Sequence, residues 1–261
     1  MKQRKFPKLI ITGCNGLIGS ILSPKLINLY EILGIDLIKS TLIPSVEFNT
    51  TSNYKNLKSI FKGFDVVIDL AAHSSVKTPW DMVASNNIQS TYNVIKAASE
   101  SGIKRVIFAS SNHVTGMYEK DYPYNNIVSG NYPKENKIPY ITTSMPIRPD
   151  SPYGIGKSTG EAIAKYFSEK FNISIICLRI GTVNLKNKPI DSEGTSAIRS
   201  FATLLTHDDL IQLIKKSINA PTNVKYEIFY GVSNNKWRFW NIKDSEIKIG
   251  YIPNENAEKW R

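Results

Sequence analysis

Tyr153 and Lys157 stand four residues apart in the segment RPDSPYGIGKSTGEA. On a helix this spacing puts both side chains on one face. A phenol ordinarily loses its proton at about pH 10. A close ammonium favours the phenolate, so the pair is expected to bring the tyrosine toward neutrality and make Tyr153 a general base. Ser111, in FASSNHVTGMY, ends an apolar run and can hydrogen-bond the same substrate oxygen. Taken alone, Tyr-x-x-x-Lys is common on ordinary helices. Its weight comes from a second constellation far upstream.

That constellation is TGCNGLIGS, which follows an apolar run and opens a helical pattern. Gly13 allows a tight turn, Gly16 lets the backbone approach a pyrophosphate, and Gly19 lets the helix pack close to the strand. Amides at the helix start then point at the phosphates. Asp36 ends the second apolar run, close to where a ribose-binding carboxylate belongs. It would accept from both ribose hydroxyls and repel a 2′-phosphate, which favours NAD over NADP. The positive nicotinamide ring would add to the pull on the tyrosine proton.

The elements that must position these groups alternate along the chain. Residues 8–12, 32–37, 65–70, 105–109, 173–180 and 226–231 are expected as strands. Residues 16–29, 53–61, 85–101, 152–171 and 206–220 are expected as helices. The helix at 152 is well marked, with Ser151 as cap and Pro152 in its first turn. Such alternation predicts an α/β protein with a doubly wound parallel sheet, a Rossmann fold, carrying a small C-terminal substrate lobe. Residues 119–147 and 183–195 have no sustained period and follow strand ends, where such sheets bind ligands. The 261 residues are therefore expected to form a single NAD-binding domain with substrate-binding insertions at about 119–147 and 182–205.

Bulk properties bound the alternatives. Hydrophobic residues make up 41% and charged residues 21%, as in ordinary globular proteins. No stretch approaches the roughly 20 apolar residues of a membrane span, and the basic residues 1–8 lead into no secretory signal. A net charge of +11 raises nucleic acid as a partner, but the lysines are scattered and form no block, so none is expected. Cys14 and Cys177 show no metal-ligand spacing and are expected as reduced, buried thiols in a cytoplasmic protein, with no metal bound.

The chain resembles the extended short-chain dehydrogenase/reductase (NAD-dependent epimerase/dehydratase) family, and more closely its uronate dehydrogenase branch. The resemblance is carried by TGCNGLIGS, VVIDLAAHSSVKTPW, SNNIQSTYNVIKAA, FASSNHVTGMY, RPDSPYGIGKSTGEA, LRIGT and FATLLTHDDLIQLI, with GVSNN near the C-terminus. It implies a catalytic set of Ser111, Tyr153 and Lys157, with Asn87 in a proton relay. It implies a dinucleotide site of Gly13, Asn15, Gly16, Leu17, Ile18, Gly19, Asp36, Leu37, Thr50, Leu70, Ala71 and Ala72, completed by Tyr153 and Lys157. Thr50-Thr51 stands where the family has an Asp-Leu pair against the adenine. Ser75, Ser111, Asn112, His113 and Thr182 match positions that hold sugar hydroxyls, and Arg199 matches an arginine that clamps the uronate carboxylate. A planar guanidinium suits that task. An exposed arginine and a supporting histidine are the alternative readings of Arg199 and His113.

The resemblance implies NAD-dependent oxidation of a uronate, glucuronate or galacturonate, at C1 to an aldarolactone, in a homo-oligomer. Two departures stand out. The segments between Tyr118 and Arg148 and between Thr182 and Arg199 are longer than the family's, and both flank the expected pocket. A sugar-phosphate dehydrogenase, a nucleotide-sugar epimerase or dehydratase, and a non-catalytic NAD-binding protein remain as alternatives.

Overall fold

The computed structural model describes residues 6–134, 138–192 and 194–261. The start of the basic N-terminal stretch, three positions of the first irregular segment and one of the second lie outside the described residues.

In chain order the elements are β1 (Lys8–Thr12), α1 (Leu17–Leu26), β2 (Glu31–Asp36), β3 (Ser45–Glu47), α2 (Tyr54–Phe61), β4 (Val66–Asp69) and α3 (Trp80–Met82). A π-helical turn (Val83–Ile88) leads into α4 (Gln89–Ser101) and then β5 (Arg105–Ser111). A 3₁₀ segment (Asn112–Lys120) precedes α5 (Tyr124–Val128), α6 (Pro152–Phe171) and β6 (Ser174–Ile180). The chain closes with α7 (Ala197–Thr203), α8 (His207–Ile218), β7 (Tyr226–Gly231) and α9 (Lys243–Ile249).

The seven strands form one parallel sheet in the order β3-β2-β1-β4-β5-β6-β7. This is the doubly wound Rossmann order with a further strand at one edge. The order reverses between β1 and β4, whose ends meet at Thr12 and Asp69. A crevice must open there at the carboxyl ends.

Successive strand residues face opposite sides, and both faces are covered. On one side Leu9, Ile11, Ile68 and Leu178 pack with Leu22 and Leu26 of α1 and with Leu210 and Leu213 of α8. On the other, Ile10, Val67, Val106 and Ile175 pack with Leu57, Val94 and Phe167 of α2, α4 and α6. Each such fully buried aliphatic side chain contributes roughly 1.5–3 kcal/mol. Helix starts are chosen by local chemistry: Asn53, Ser151, Ser196 and Thr206 each accept a backbone N–H of the turn they open.

The expected strands and helices are all present, with shifts at their ends. The helix expected from residue 85 begins at Trp80, because Pro79 sets its start and the π turn adds a residue to the winding. The expected α1 stops early, since Pro24 lies in its last turn and the chain leaves at Leu26. Strand β3 is an addition at the sheet edge.

The first irregular segment and the C-terminus build one satellite core. Tyr118, Tyr124 and Ile127 pack with Ile141, Phe239, Trp240 and Ile242. Ile141 N–H donates to the Phe239 carbonyl at 2.8 Å, and Asn241 N–H donates back to Ile141. This small lobe sits over the carboxyl ends of β5 to β7 through Tyr230 and Val232. Among the described residues no helix is long and apolar enough to cross a membrane.

Candidate active site

The crevice at the β1–β4 reversal is lined from end to end by the glycine turn. Gly13 has φ +65°, and a Cβ on it would fall 2.9 Å from the Ala71 nitrogen. Only glycine accepts both conditions. A Cβ on Gly19 would meet the Gly13 carbonyl oxygen at 2.4 Å, so α1 starts tight against the strand end. At one end a cavity of about 190 Å³ is lined by Gly13, Gly16, Ile35, Asp36, Leu37, Thr50, Leu70, Ala71 and Ala72. At the other a cavity of about 460 Å³ shares Gly13, Gly16, Leu70 and Ala72 with it and reaches Tyr153 and Lys157. Leu17, Ile18 and Gly19 line this second cavity beside the start of α1.

Asp36 accepts from Asn15 N–H at 2.8 Å and Leu37 N–H at 2.7 Å. The two amides fix the carboxylate at the rim with lone pairs left for ribose hydroxyls. Thr50 is buried and its hydroxyl is paired with Ser90 at 2.6 Å, so it shapes the wall of the smaller cavity. These residues fit a dinucleotide: a turn without side chains for the phosphates, and a carboxylate at ribose distance in the chain. Asp36→Asn should narrow the preference for NAD over NADP at least about tenfold, because an ionised acceptor contributes about 1.5–3 kcal/mol. Titration of NADH and NADPH fluorescence checks this, and an unchanged preference would remove Asp36 from cofactor selection.

The catalytic groups come from β5 and α6. Gly156 and Gly160 let α6 lie close on its neighbours: a Cβ there would fall 2.5 Å from Val83 and 2.4 Å from Phe108. Lys157 is carried down by this contact, and its Nζ donates to the Ala109 carbonyl at 2.6 Å. Burial pulls its pKa down to about 8, against the nearby Asp69 carboxylate. Asp69 is itself pushed up to about 6 by burial, although Thr12 donates to it at 2.6 Å. Ser111 accepts from His113 N–H at 3.2 Å and hydrogen-bonds the Tyr153 hydroxyl.

The expected acidification of Tyr153 is not met in the protein alone. Burial pushes the phenol up to about 12, and the Ser111 bond only partly opposes this. The physical reason is that Lys157 gives its hydrogen bond to Ala109, with its Nζ 5.7 Å from the tyrosine ring centre. Burial was not visible in the spacing.

Ser75, Asn112, His113, Thr182 and Arg199 all line the larger cavity with Tyr153. His113 Nδ1 is 2.7 Å from Asp150 Oδ2, which orients the ring. Asn87 is locked to one backbone unit: its Oδ1 accepts from His73 N–H at 2.8 Å and its Nδ2 donates to the His73 carbonyl at 3.0 Å. It therefore shapes the turn that presents Ser75. Arg199 does clamp a carboxylate, but it is the protein's own. Its Nε and Nη2 donate to Glu119 at 2.6 and 2.7 Å.

Glu119, Asp150 and Asp69 stand behind the cavity as partners of Arg199, His113 and Lys157, and sequence reasoning missed them. Asp69 left a signal, an acid inside the apolar run VVIDL. Glu119 left none, being 80 residues from its partner.

The model of the NAD dependent epimerase/dehydratase family matches residues 9–216. The chain belongs to this family. NAD is thus its cofactor, as the cradle suggests. Among relatives, the chain is 33% identical to the uncharacterized protein YtbQ of Bacillus subtilis, over 96% of this chain and 95% of that one. It is 28% identical to a uronate dehydrogenase of Pseudomonas putida, over 100% and 89%. Among solved structures, a mutated uronate dehydrogenase superposes with a TM-score of 0.81 at 32% identity, covering 98% of this chain and 84% of that one.

Proposed function

We propose that this family member is an NAD-dependent dehydrogenase that oxidises the ring form of a sugar at C1. The observation that carries this is the convergence of Tyr153 and Lys157 on one cavity that also contains the phosphate turn, with Ser111 bonded to Tyr153 behind it. Similarity to uronate dehydrogenases supports it.

Tyr153 is positioned to take the proton of the anomeric hydroxyl, with Ser111 holding the same oxygen. Lys157, while charged, favours the phenolate and can hold a ribose hydroxyl. Bound NAD supplies the acceptor for the hydride that leaves C1. The product is a lactone, which water opens to the acid. Ser75, Asn112, His113 and Thr182 hold ring hydroxyls, and the orientation of His113 by Asp150 leaves Nε2 for the sugar. The finer expectation of a sugar acid rests on Arg199, whose fork is shared with Glu119.

The cavity of about 460 Å³ must take the nicotinamide half and the substrate together. That suits a single sugar ring better than a nucleotide sugar. NADH should therefore accumulate in step with sugar consumed, whereas an epimerase would recycle its cofactor. The rate should climb from about pH 6 to about pH 9, by up to about tenfold per unit, because the reactive form of Tyr153 is the deprotonated one. The slope should lessen above about 8, where Lys157 loses its charge and its hold on the phenolate weakens. A flat profile would remove Tyr153 as the base.

A further inference from the structure

We propose that Glu119, paired with Arg199 behind the wall of the sugar pocket, fills the fork of that arginine and so selects aldoses that carry no acidic group. This rests on the C1-dehydrogenase reading above and names its substrate class.

The geometry is that of a completed clamp. Guanidinium has five N–H donors. Nε and one Nη2 hydrogen go to Glu119, at 2.6 and 2.7 Å. The other Nη2 hydrogen faces Asn112 Oδ1 at 3.4 Å. Nη1 faces the hydroxyls of Thr182, Thr195 and Thr203 at 3.1 to 3.4 Å. No donor is left over for a substrate carboxylate. Both side chains of the pair are 12% exposed. Burial works against the charge on Arg199, but Glu119 outweighs it and raises the guanidinium pKa, with Asp150 adding to the effect. The guanidinium is thus opposed by two carboxylates.

Glu119 is also held where it stands. It lies in the last turn of the 3₁₀ segment that begins at Asn112 in the pocket itself. On one side Tyr118 is buried and donates to the Pro146 carbonyl at 3.1 Å. On the other, Asp121 N–H donates to the Tyr118 carbonyl and its carboxylate pairs with Arg148. Arg148 N–H returns to the Val114 carbonyl at 2.9 Å. An incoming acid would have to expel a buried carboxylate from its ion pair, or sit beside it. Either costs heavily. A hydroxymethyl group, or nothing at all, in place of the carboxylate meets no such penalty.

The test uses sugars that differ only at C6: D-galactose with D-galacturonate, and D-glucose with D-glucuronate. NADH formation gives kcat/KM for each. In the wild-type enzyme the neutral member of the better pair should lead by at least about 100-fold, the scale of an uncompensated buried charge. Glu119→Gln, which keeps the shape and removes the charge, should move that ratio at least about tenfold toward the uronate. Preference of the wild-type enzyme for a uronate or for glucose 6-phosphate overturns the proposal without needing any variant. So does a folded Glu119→Gln enzyme with an unmoved ratio. No NADH from any sugar would instead overturn the dehydrogenase reading, and the proposal with it.

Discussion

Tyr153→Phe is expected to lower kcat by at least about 100-fold, since a positioned proton-transfer group contributes about 10²–10⁴-fold. The substitution removes one oxygen from a side chain that is 8% exposed and packed at the start of α6. The fold should therefore hold. Cofactor affinity should change little, because the glycine turn and the Asp36 carboxylate keep all their own contacts when the phenol oxygen is removed. Single-turnover NADH formation separates chemistry from binding, and a fluorescence titration reports the cofactor. A Tyr153→Phe enzyme with ordinary turnover would mean that another group takes the anomeric proton. Loss of NAD binding in the same degree as loss of rate would mean that the hydroxyl serves the cofactor instead.

Arg179→Ala should cost about 3–5 kcal/mol of stability, because it strands a buried carboxylate. Arg179 on β6 and Glu161 on α6 form two parallel hydrogen bonds, both 2.9 Å, with side chains 1% and 6% exposed. Ser110 donates to the same carboxylate at 2.6 Å, and Arg179 Nη1 donates to the Tyr230 hydroxyl at 3.2 Å. Burial opposes the charge on Arg179, yet Glu161 raises its pKa further above the ordinary guanidinium range. The network ties α6 to β5, β6 and β7 directly behind the catalytic residues. For a chain of this size a melting temperature lower by roughly 6–20 °C follows. The double change Glu161→Leu with Arg179→Met removes both charges and should recover part of the loss. A single-variant loss below about 1 kcal/mol in urea titration would show the pair to be dispensable.

Much of the fold was legible because its signals are local. TGCNGLIGS reads as strand, turn and helix within nine residues, and the cap Ser151 and Pro152 mark the start of the catalytic helix. The strands were visible as apolar runs because the sheet is buried on both faces. Strand β3 was not, since Ser45–Glu47 is three residues long at the sheet edge. The π turn that carries Asn87 was not, because no residue type signals the extra residue.

The site was legible in the same measure. Tyr153 and Lys157 announced themselves by spacing, and Asp36 by its distance from the glycine turn. Their environments did not. The phenol is raised rather than lowered because burial is a tertiary property. The partner of Arg199 is 80 residues away, so a clamp arginine could be expected from motif position while the carboxylate already in it could not. The same holds for Asp150, which reaches His113 across 37 residues.

The central claim is that hydride leaves C1 of a sugar while Tyr153 holds the proton of the oxygen on that carbon. Turnover of the preferred aldose carrying deuterium at C1 tests it most directly. The account predicts that the deuterium appears in the reduced cofactor, one label for each lactone formed. Unlabelled NADH, or a sugar altered at another carbon with no net reduction of NAD, would contradict it.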